Sequence, residues 1–255
     1  TQESPNAIAT MTETRIEKRR TLWSDALHQF MRHPTGMIGA FIVLVLIFTG
    51  VFGPAIAPMD PNDNEFSARF APPSLVHPMG ADDFGRDILS RVMHGASVSL
   101  QVALISVSLA TVAGTLLGMI AGYSNRYVDE LIMRLMDVLF AFPAILLAIA
   151  VLAALGKGVS NAMIAIGIVY IPIFARIARA EVIKMKEEEF IEVARALGAT
   201  PRRILFAHIL PNILSPIIVE ISLSLSFAIL AEAALSFFGL SVQPPDPSWG
   251  RMLSE

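Results

Sequence analysis

The sequence has no cysteine and few charged residues, and these shortages exclude several kinds of protein. Without cysteine there is no disulfide framework, no Cys-ligated zinc and no Cys nucleophile. Only 16% of the 255 residues are charged, against about 25% in soluble domains. The net charge of −3 provides no basic excess for phosphates, which argues against a nucleic-acid partner. With 54% hydrophobic residues, the composition predicts a membrane protein.

Five apolar runs are long enough to cross a bilayer, which takes about 20 residues in a helix. The predicted spans are roughly 36–57, 97–123, 131–155, 159–180 and 213–235. The first run ends in Ala-Ile-Ala, as a signal peptide does. However, about 35 residues precede it and it exceeds the usual h-region, so we expect an uncleaved helix. The predicted fold class is all-α, a polytopic transmembrane helical bundle.

Basic residues are distributed unevenly among the connections. Fourteen of the 19 Lys and Arg residues lie in 1–35, 123–134 and 176–203, which alternate with segments that carry the other five. Cytoplasmic loops carry this excess in membrane proteins. We therefore expect a cytoplasmic tail at 1–35, whose first 20 residues are disordered. The transmembrane domain, 36–255, is expected to have an external loop at 58–96 and a cytoplasmic loop at 181–211.

The segment 188–212, EEFIEVARALGATPRRILFAHILPN, is charged and lies between two predicted spans. Four of its apolar residues recur at the spacing of one helical face. They are Phe190, Val193, Ala194 and Leu197. Gly198 follows where a left-handed glycine ends a helix, and Thr200 and Pro201 suit the start of a second helix that runs to Pro211. The apolar face lies on the membrane surface, packs on the protein's own bundle or binds a groove of another protein.

This segment resembles the EAA loop of ABC importer permeases. The pattern of that loop is E-A-A, three residues, G, nine residues, I, one residue and L-P. The matching positions are Glu192, Ala194, Gly198, Leu210 and Pro211. Val193 replaces the second-position Ala, and His208 replaces the Ile. The resulting H-x-L-P-N ending resembles the peptide/nickel branch of the family.

Four further stretches resemble the C-type permease subunits of this branch. They are 80–91 (GADDFGRDILSR), 133–143 (MRLMDVLFAFP), 235–240 (LSFFGL) and 243–250 (QPPDPSWG). The resemblance extends from about residue 30 to the end. It implies the ABC type I importer permease fold, in which a sixth helix is expected after residue 255.

The resemblance implies a permease subunit of an ATP-driven importer in the bacterial inner membrane, for di- or oligopeptides or related small solutes. It implies a second homologous permease, two ABC ATPase subunits, an extracytoplasmic solute-binding protein and membrane lipid as partners. The chain has no G-x-x-x-x-G-K-[ST] phosphate loop, so we expect ATP and Mg on the ATPase subunits and no cofactor or enzyme activity here. The residues expected to couple to the ATPases are Phe190, Ile191, Glu192, Ala194, Leu197, Gly198, Ala199 and Thr200. The alternative function is a self-contained secondary transporter or channel.

Small and polar residues recur at helical spacing along the second span. They are Ser97, Gln101, Ser108, Thr111, Thr115, Gly118 and Gly122. Such a face lines a translocation path or packs closely against another helix. Asp137, in the third span, pairs with Arg134 or with a basic residue of another subunit, or it takes part in gating or solute contact. Glu232, in the fifth span, contacts the cationic end of a peptide or makes a structural hydrogen bond.

The candidates for the translocation path are therefore Gln101, Ser108, Thr111, Thr115, Asp137 and Glu232. The five histidines are scattered without H-x-x-x-H spacing, and no nucleophile elbow is present. The sequence therefore predicts neither a metal site nor a catalytic site, which disfavours an intramembrane enzyme.

Overall fold

The computed structural model describes residues 30–255, and the disordered tail predicted for the first 20 residues lies outside this range. Within it the chain is helical, without strands apart from one isolated bridge between Ala81 and Asp87. The helices are α1 (Pro34–Ile56), α2 (Ile88–Tyr123), α3 (Arg126–Phe140), α4 (Ala144–Leu155), α5 (Val159–Met185), α6 (Glu189–Ala196), α7 (Pro201–Phe237) and α8 (Trp249–Met252). The predicted all-α fold class is confirmed.

Two compact units divide the chain, Thr1–Leu46 and Ile47–Glu255. The described part of the first unit contains the beginning of α1, where large apolar side chains such as Phe41 and Leu44 are exposed. A helix that is apolar on all sides suits a membrane. The second unit contains the end of α1 and all the other helices.

Four of the described helices, α1, α2, α5 and α7, are long and apolar enough to cross a membrane, and α3 with α4 makes a fifth span if the pair counts as one. The predicted third span is not one straight helix, because α3 and α4 meet at an angle of 95°. Pro143 stands at the break as the N-cap of α4. Proline lacks an N–H and disfavours helical geometry in the residue before it, here Phe142.

Glycines on α2 allow its backbone to approach α5 closely. A Cβ placed on Gly118 would lie 2.8 Å from the Cβ of Ala178, and one on Gly122 would lie 2.9 Å from the Cβ of Val182. Both distances are too short for real atoms, so a larger residue would separate the helices. Small residues of this kind bring membrane helices together. Close packing is therefore the role of this part of the small-residue face.

The loop between α1 and α2 is shorter than the predicted external loop at 58–96, because α2 already begins at Ile88. Asp87 caps this start, since its Oδ2 accepts a hydrogen bond from the N–H of Ser90 at 2.8 Å. An aspartate cap satisfies one of the free N–H groups of the first turn. The helix therefore starts well before the apolar run that predicted the span.

Two hydrogen bonds show which connections share an end of the bundle. Lys186 donates from Nζ to the carbonyl oxygen of Gly122 at 3.0 Å, which places the α2–α3 and α5–α6 connections together. Trp249 donates from Nε1 to the carbonyl oxygen of Val92 at 3.1 Å, which places α8 near the other end of α2. The two connections grouped by their basic residues thus lie at one end of the bundle.

Candidate functional site

The loop predicted to couple to ATPases is a short helix that ends in a tight turn. Gly198, just after α6, has a φ of +81°, in the left-handed region that favours glycine. The N–H of Gly198 donates to the carbonyl oxygen of Arg195, and the N–H of Ala199 donates to that of Ala194, both at 3.0 Å. These two bonds make a Schellman motif. The predicted end of the first helix is confirmed.

The next helix starts as predicted but does not stop where predicted. Thr200 accepts a hydrogen bond from the N–H of Arg203 on its Oγ1 at 3.4 Å, and Pro201 occupies the first turn. The prediction that this second helix ends at Pro211 is wrong, because α7 continues to Phe237. A π-helical segment, Ile204–Ile209, ends two residues before the proline. Proline clashes with the carbonyl group one turn back in a regular α-helix, and the wider π turn accommodates it.

The loop predicted to couple to ATPases has one buried anchor and several exposed apolar side chains. Ile191 has no exposed surface, whereas Phe190 is 43% exposed, Val193 57% and Leu197 83%. The face predicted from helical spacing therefore points away from the described bundle, which disfavours the interpretation that it packs there. Among the other predicted coupling residues, those exposed are Glu192, Gly198 and Thr200, and those half-buried are Ala194 and Ala199.

The predicted polar face of α2 is divided between two environments. Gln101 and Ser108 are exposed, whereas Thr115 is buried at 7% exposure. The Oγ1 atoms of Thr111 and Thr115 are buried and have no hydrogen-bond partner among the described residues. The face is thus accessible near the start of α2 and enclosed farther along, where the glycines contact α5.

Gln101 lines a cavity of about 380 Å³ near the start of α2, with both polar and apolar side chains in its wall. The wall includes two carboxylates, Asp60 and Asp246, together with His94. Asn62 donates from Nδ2 to Oδ1 of Asp246 at 3.3 Å. The cavity therefore lies where the loop after α1 meets the segment after α7.

Asp137 does not pair with Arg134, so that predicted contact is wrong. Its Oδ1 accepts a hydrogen bond from Nη2 of Arg176 on α5 at 2.7 Å. Arg134 instead contacts Glu130, one turn away on α3, at 2.6 Å, as residues four apart on a helix do. Sequence spacing favours such local partners, whereas the pairing with Arg176 depends on how α3 lies against α5.

A second ion pair between these helices was not predicted. Arg179 contacts both carboxylate oxygens of Asp129, with Nη2 and Oδ2 2.6 Å apart. The guanidinium of Arg176 lies 4.2 Å from the centroid of the Phe140 ring. The available signal in the sequence was a pair of Arg residues three positions apart on α5 and a pair of Asp residues on α3.

Glu232 is enclosed in the protein. It has no exposed surface, and its carboxylate accepts hydrogen bonds from Ser99 Oγ at 3.0 Å and from Ser236 Oγ at 2.6 Å. The contact with Ser99 joins α7 to α2, and both contacts favour the structural hydrogen bond over solute contact.

Comparison with known proteins identifies the family. Residues 114–255, more than half of the chain, match the family of binding-protein-dependent transport system inner membrane components. The chain belongs to this permease family. Residues 21–73 of the permease also match the N-terminal transmembrane domain of oligopeptide transport permease C. The predicted family is thus confirmed, and the permease is a multi-pass inner membrane protein.

Named relatives are similar to the permease over most of its length. The dipeptide transport system permease protein DppC of Alkalihalophilus pseudofirmus is 47% identical, over 91% of this chain and 77% of the relative. The glutathione transport system permease protein GsiD of Pectobacterium atrosepticum is 41% identical, over 97% and 83%. The di/tripeptide transport system permease protein DppC of Pseudomonas aeruginosa is 42% identical, over 89% and 77%.

A solved structure has the same fold. It is an inward-facing form of the MetNI methionine ABC transporter, with a TM-score of 0.55 over 63% of this chain and 77% of the solved chain. At 19% identity the likeness concerns the fold alone. The predicted ABC importer permease fold is confirmed.

Proposed function

We propose that this permease is a subunit of an ATP-driven importer for di- or oligopeptides or a related small solute such as glutathione. The observation that carries the proposal is the 41–47% identity to permeases named for dipeptide, di/tripeptide and glutathione transport. A second homologous permease supplies the other half of the path, because five spans provide few helices to enclose a peptide. An extracytoplasmic solute-binding protein delivers the solute.

The proposed contact with the ATPases is the outward face of α6. Phe190, Val193 and Leu197 are exposed there, and an amphipathic helix with an exposed apolar face suits a hydrophobic groove. Ile191 anchors the same helix in the core. Force applied to α6 therefore reaches the bundle through this anchor and through the turn at Gly198. We assign ATP and Mg to the two ATPase subunits.

The proposed solute path runs along the accessible part of α2. Gln101 and Ser108 are exposed, and Gln101 lines the cavity near the start of α2. We assign these two residues to the path ahead of Thr111 and Thr115, whose hydroxyls are enclosed. Glu232 is assigned to the structural link with α2.

The test is reconstitution in liposomes with the co-purified partner chains. ATP inside the liposomes and binding protein outside are expected to drive the uptake of labelled dipeptide, tripeptide or glutathione. The solute that most stimulates ATP hydrolysis identifies the substrate. Uptake that continues without the ATPase subunits contradicts the proposal and supports the alternative, a self-contained secondary transporter or channel.

Changes in the coupling loop make the test specific. Ala194→Leu and Gly198→Val are expected to abolish ATP-dependent uptake while the protein still inserts into the membrane. The matched control is Gly39→Ala on α1, where an added Cβ meets no atom within 4 Å. If both loop variants transport as well as this control, the loop has no coupling role.

A further inference from the structure

Two ion pairs join α3 to α5 at the end of the bundle that carries the coupling loop. Arg179 contacts Asp129 in a bidentate arrangement, with one pair of atoms 2.6 Å apart, and Arg176 contacts Asp137 at 2.7 Å. Bidentate Arg–carboxylate contacts are directional as well as attractive. Asp129 lies near the start of α3 and Asp137 near its end. The pairs therefore fix both the position and the direction of α3 relative to α5.

Apolar packing holds α3 only weakly. Met136 is its one buried residue. Four large side chains along the helix are more than half exposed. They are Tyr127, Leu131, Leu135 and Val138. With so little fully buried apolar surface, we expect the ion pairs to contribute to the orientation of α3 on α5.

The two ion pairs lie between the coupling loop and the α3–α4 bend, two parts of the molecule that are expected to move during transport. Arg176 and Arg179 lie in the last three turns of α5, 13 and 10 residues before α6 begins at Glu189. At its other end α3 leads into the 95° bend toward α4. A displacement of α6 that carries the end of α5 with it therefore reaches this bend through the two aspartates.

We propose that Asp129, Asp137, Arg176 and Arg179 are positioning residues that make α3 follow α5 during transport. They contact neither solute nor ATP, and they convert movement of the coupling loop into movement at the α3–α4 bend. The inference rests on the proposed function, since it names how the coupling loop acts on the path. Arg176 and Asp137 are partly exposed, at 45% and 63%. Ion pairs of this kind are individually weak, so both pairs are needed to keep α3 on α5.

The first test compares uptake with ATP hydrolysis in the reconstituted importer. The double variant Asp129→Asn, Asp137→Asn is expected to hydrolyse ATP at a rate within about twofold of wild type. Its solute uptake is expected to fall by about fivefold or more, because the coupling between the two sites is lost. The charge exchange Asp129→Arg, Arg179→Asp is expected to restore most of the uptake that either single change removes.

The matched control is the ion pair within α3, between Glu130 and Arg134. It uses the same chemical groups and does not cross to α5, so Glu130→Gln, Arg134→Gln is expected to leave uptake per ATP unchanged. The inference is overturned if the control variant loses as much uptake per ATP as the double aspartate variant. It is also overturned if the charge-exchange variant transports no more solute than either of its single changes.

The second test measures the two helices without relying on transport. Because the chain has no cysteine, Tyr127→Cys and Ile183→Cys provide unique spin-label sites on the exposed surfaces of α3 and α5. With the wild-type ion pairs, the distance between the two labels is expected to have one narrow distribution with and without ATP. When Asp129 and Asp137 are both Asn, the distribution is expected to be broad. An unchanged distribution in that variant overturns the inference. A wild-type complex without ATP-dependent uptake would refute the proposed function, and the distances would still decide the role of the ion pairs.

Discussion

Glu232 of α7 and Ser99 of α2 are joined by a hydrogen bond of 3.0 Å in which the serine hydroxyl donates to a carboxylate without exposed surface. Ser236 donates to the other carboxylate oxygen at 2.6 Å. A polar group buried among apolar side chains is costly unless it is hydrogen-bonded. The three side chains therefore hold α2 and α7 together.

Removal of one donor from this group is expected to destabilise the permease. Ser99→Ala leaves one carboxylate oxygen without its donor, which typically costs about 1–3 kcal/mol in unfolding free energy. The measurement is thermal unfolding of the purified protein in detergent. Ser108→Ala, at an exposed position on the same helix, is the control. Equal midpoints for the two variants would contradict the structural role of this contact.

Close packing of α2 on α5 predicts intolerance to a single methyl group. In Gly118→Ala the added Cβ would lie 2.8 Å from the Cβ of Ala178, so the helices have to separate. Overpacking of this kind costs about 1–3 kcal/mol, and the unfolding midpoint is expected to fall. Gly39→Ala, with open space around the new methyl group, is expected to show no loss. A Gly118→Ala protein as stable as wild type would show that α2 and α5 are farther apart.

The turn after α6 predicts an order of activities at Gly198. Its φ of +81° costs most residues about 1–2 kcal/mol, and Asn less than others. ATP-dependent uptake is expected to decrease from wild type through Gly198→Asn and Gly198→Ala to Gly198→Val, where the side chain is β-branched. Each variant is compared at equal amounts of membrane-inserted protein. An Ala variant more active than the Asn variant would mean that the left-handed conformation does not matter for coupling.

Substitutions of Ile191 and Leu197, six positions apart in the segment proposed to bind the ATPases, are expected to have different effects. Leu197→Ser changes a side chain that is 83% exposed, so the unfolding midpoint is expected to stay the same while co-purification with the ATPase subunits decreases. Ile191→Ser places a hydroxyl in the core, where large-to-small changes cost about 2–5 kcal/mol, and is expected to lower the midpoint. If Leu197→Ser retains full ATPase binding, the exposed face of α6 is not the docking surface.

Features that depend on neighbouring residues in the chain were predictable. The helix end at Gly198 and the helix start at Thr200 follow from the chemistry of the residues at those positions, because capping is local. The spacing from Glu192 to Pro211 likewise pointed to the permease family that the comparisons confirm. Four of the five predicted spans, those of α1, α2, α5 and α7, followed from the length and apolar character of their runs.

Features that depend on distant contacts were not predictable. The partner of Asp137 is Arg176, on another helix, whereas spacing alone favoured the nearby Arg134. The continuation of α7 through Pro211 requires the π-helical segment, whose widened turn has no sequence signature comparable to a cap. The burial of Ile191 in place of its neighbour Phe190 depends on how α6 packs against the start of α7.

The continuity of α7 also has a consequence for how far a small movement travels. With 37 residues from Pro201 to Phe237, the helix is about 55 Å long at the usual rise per residue. A tilt of about 5° at the coupling loop displaces its far end by about 5 Å over that length. That end holds Ala233, whose backbone leaves no room for a Cβ on Gly250. A small tilt of α7 at the coupling loop thus produces a larger displacement at the segment after α7.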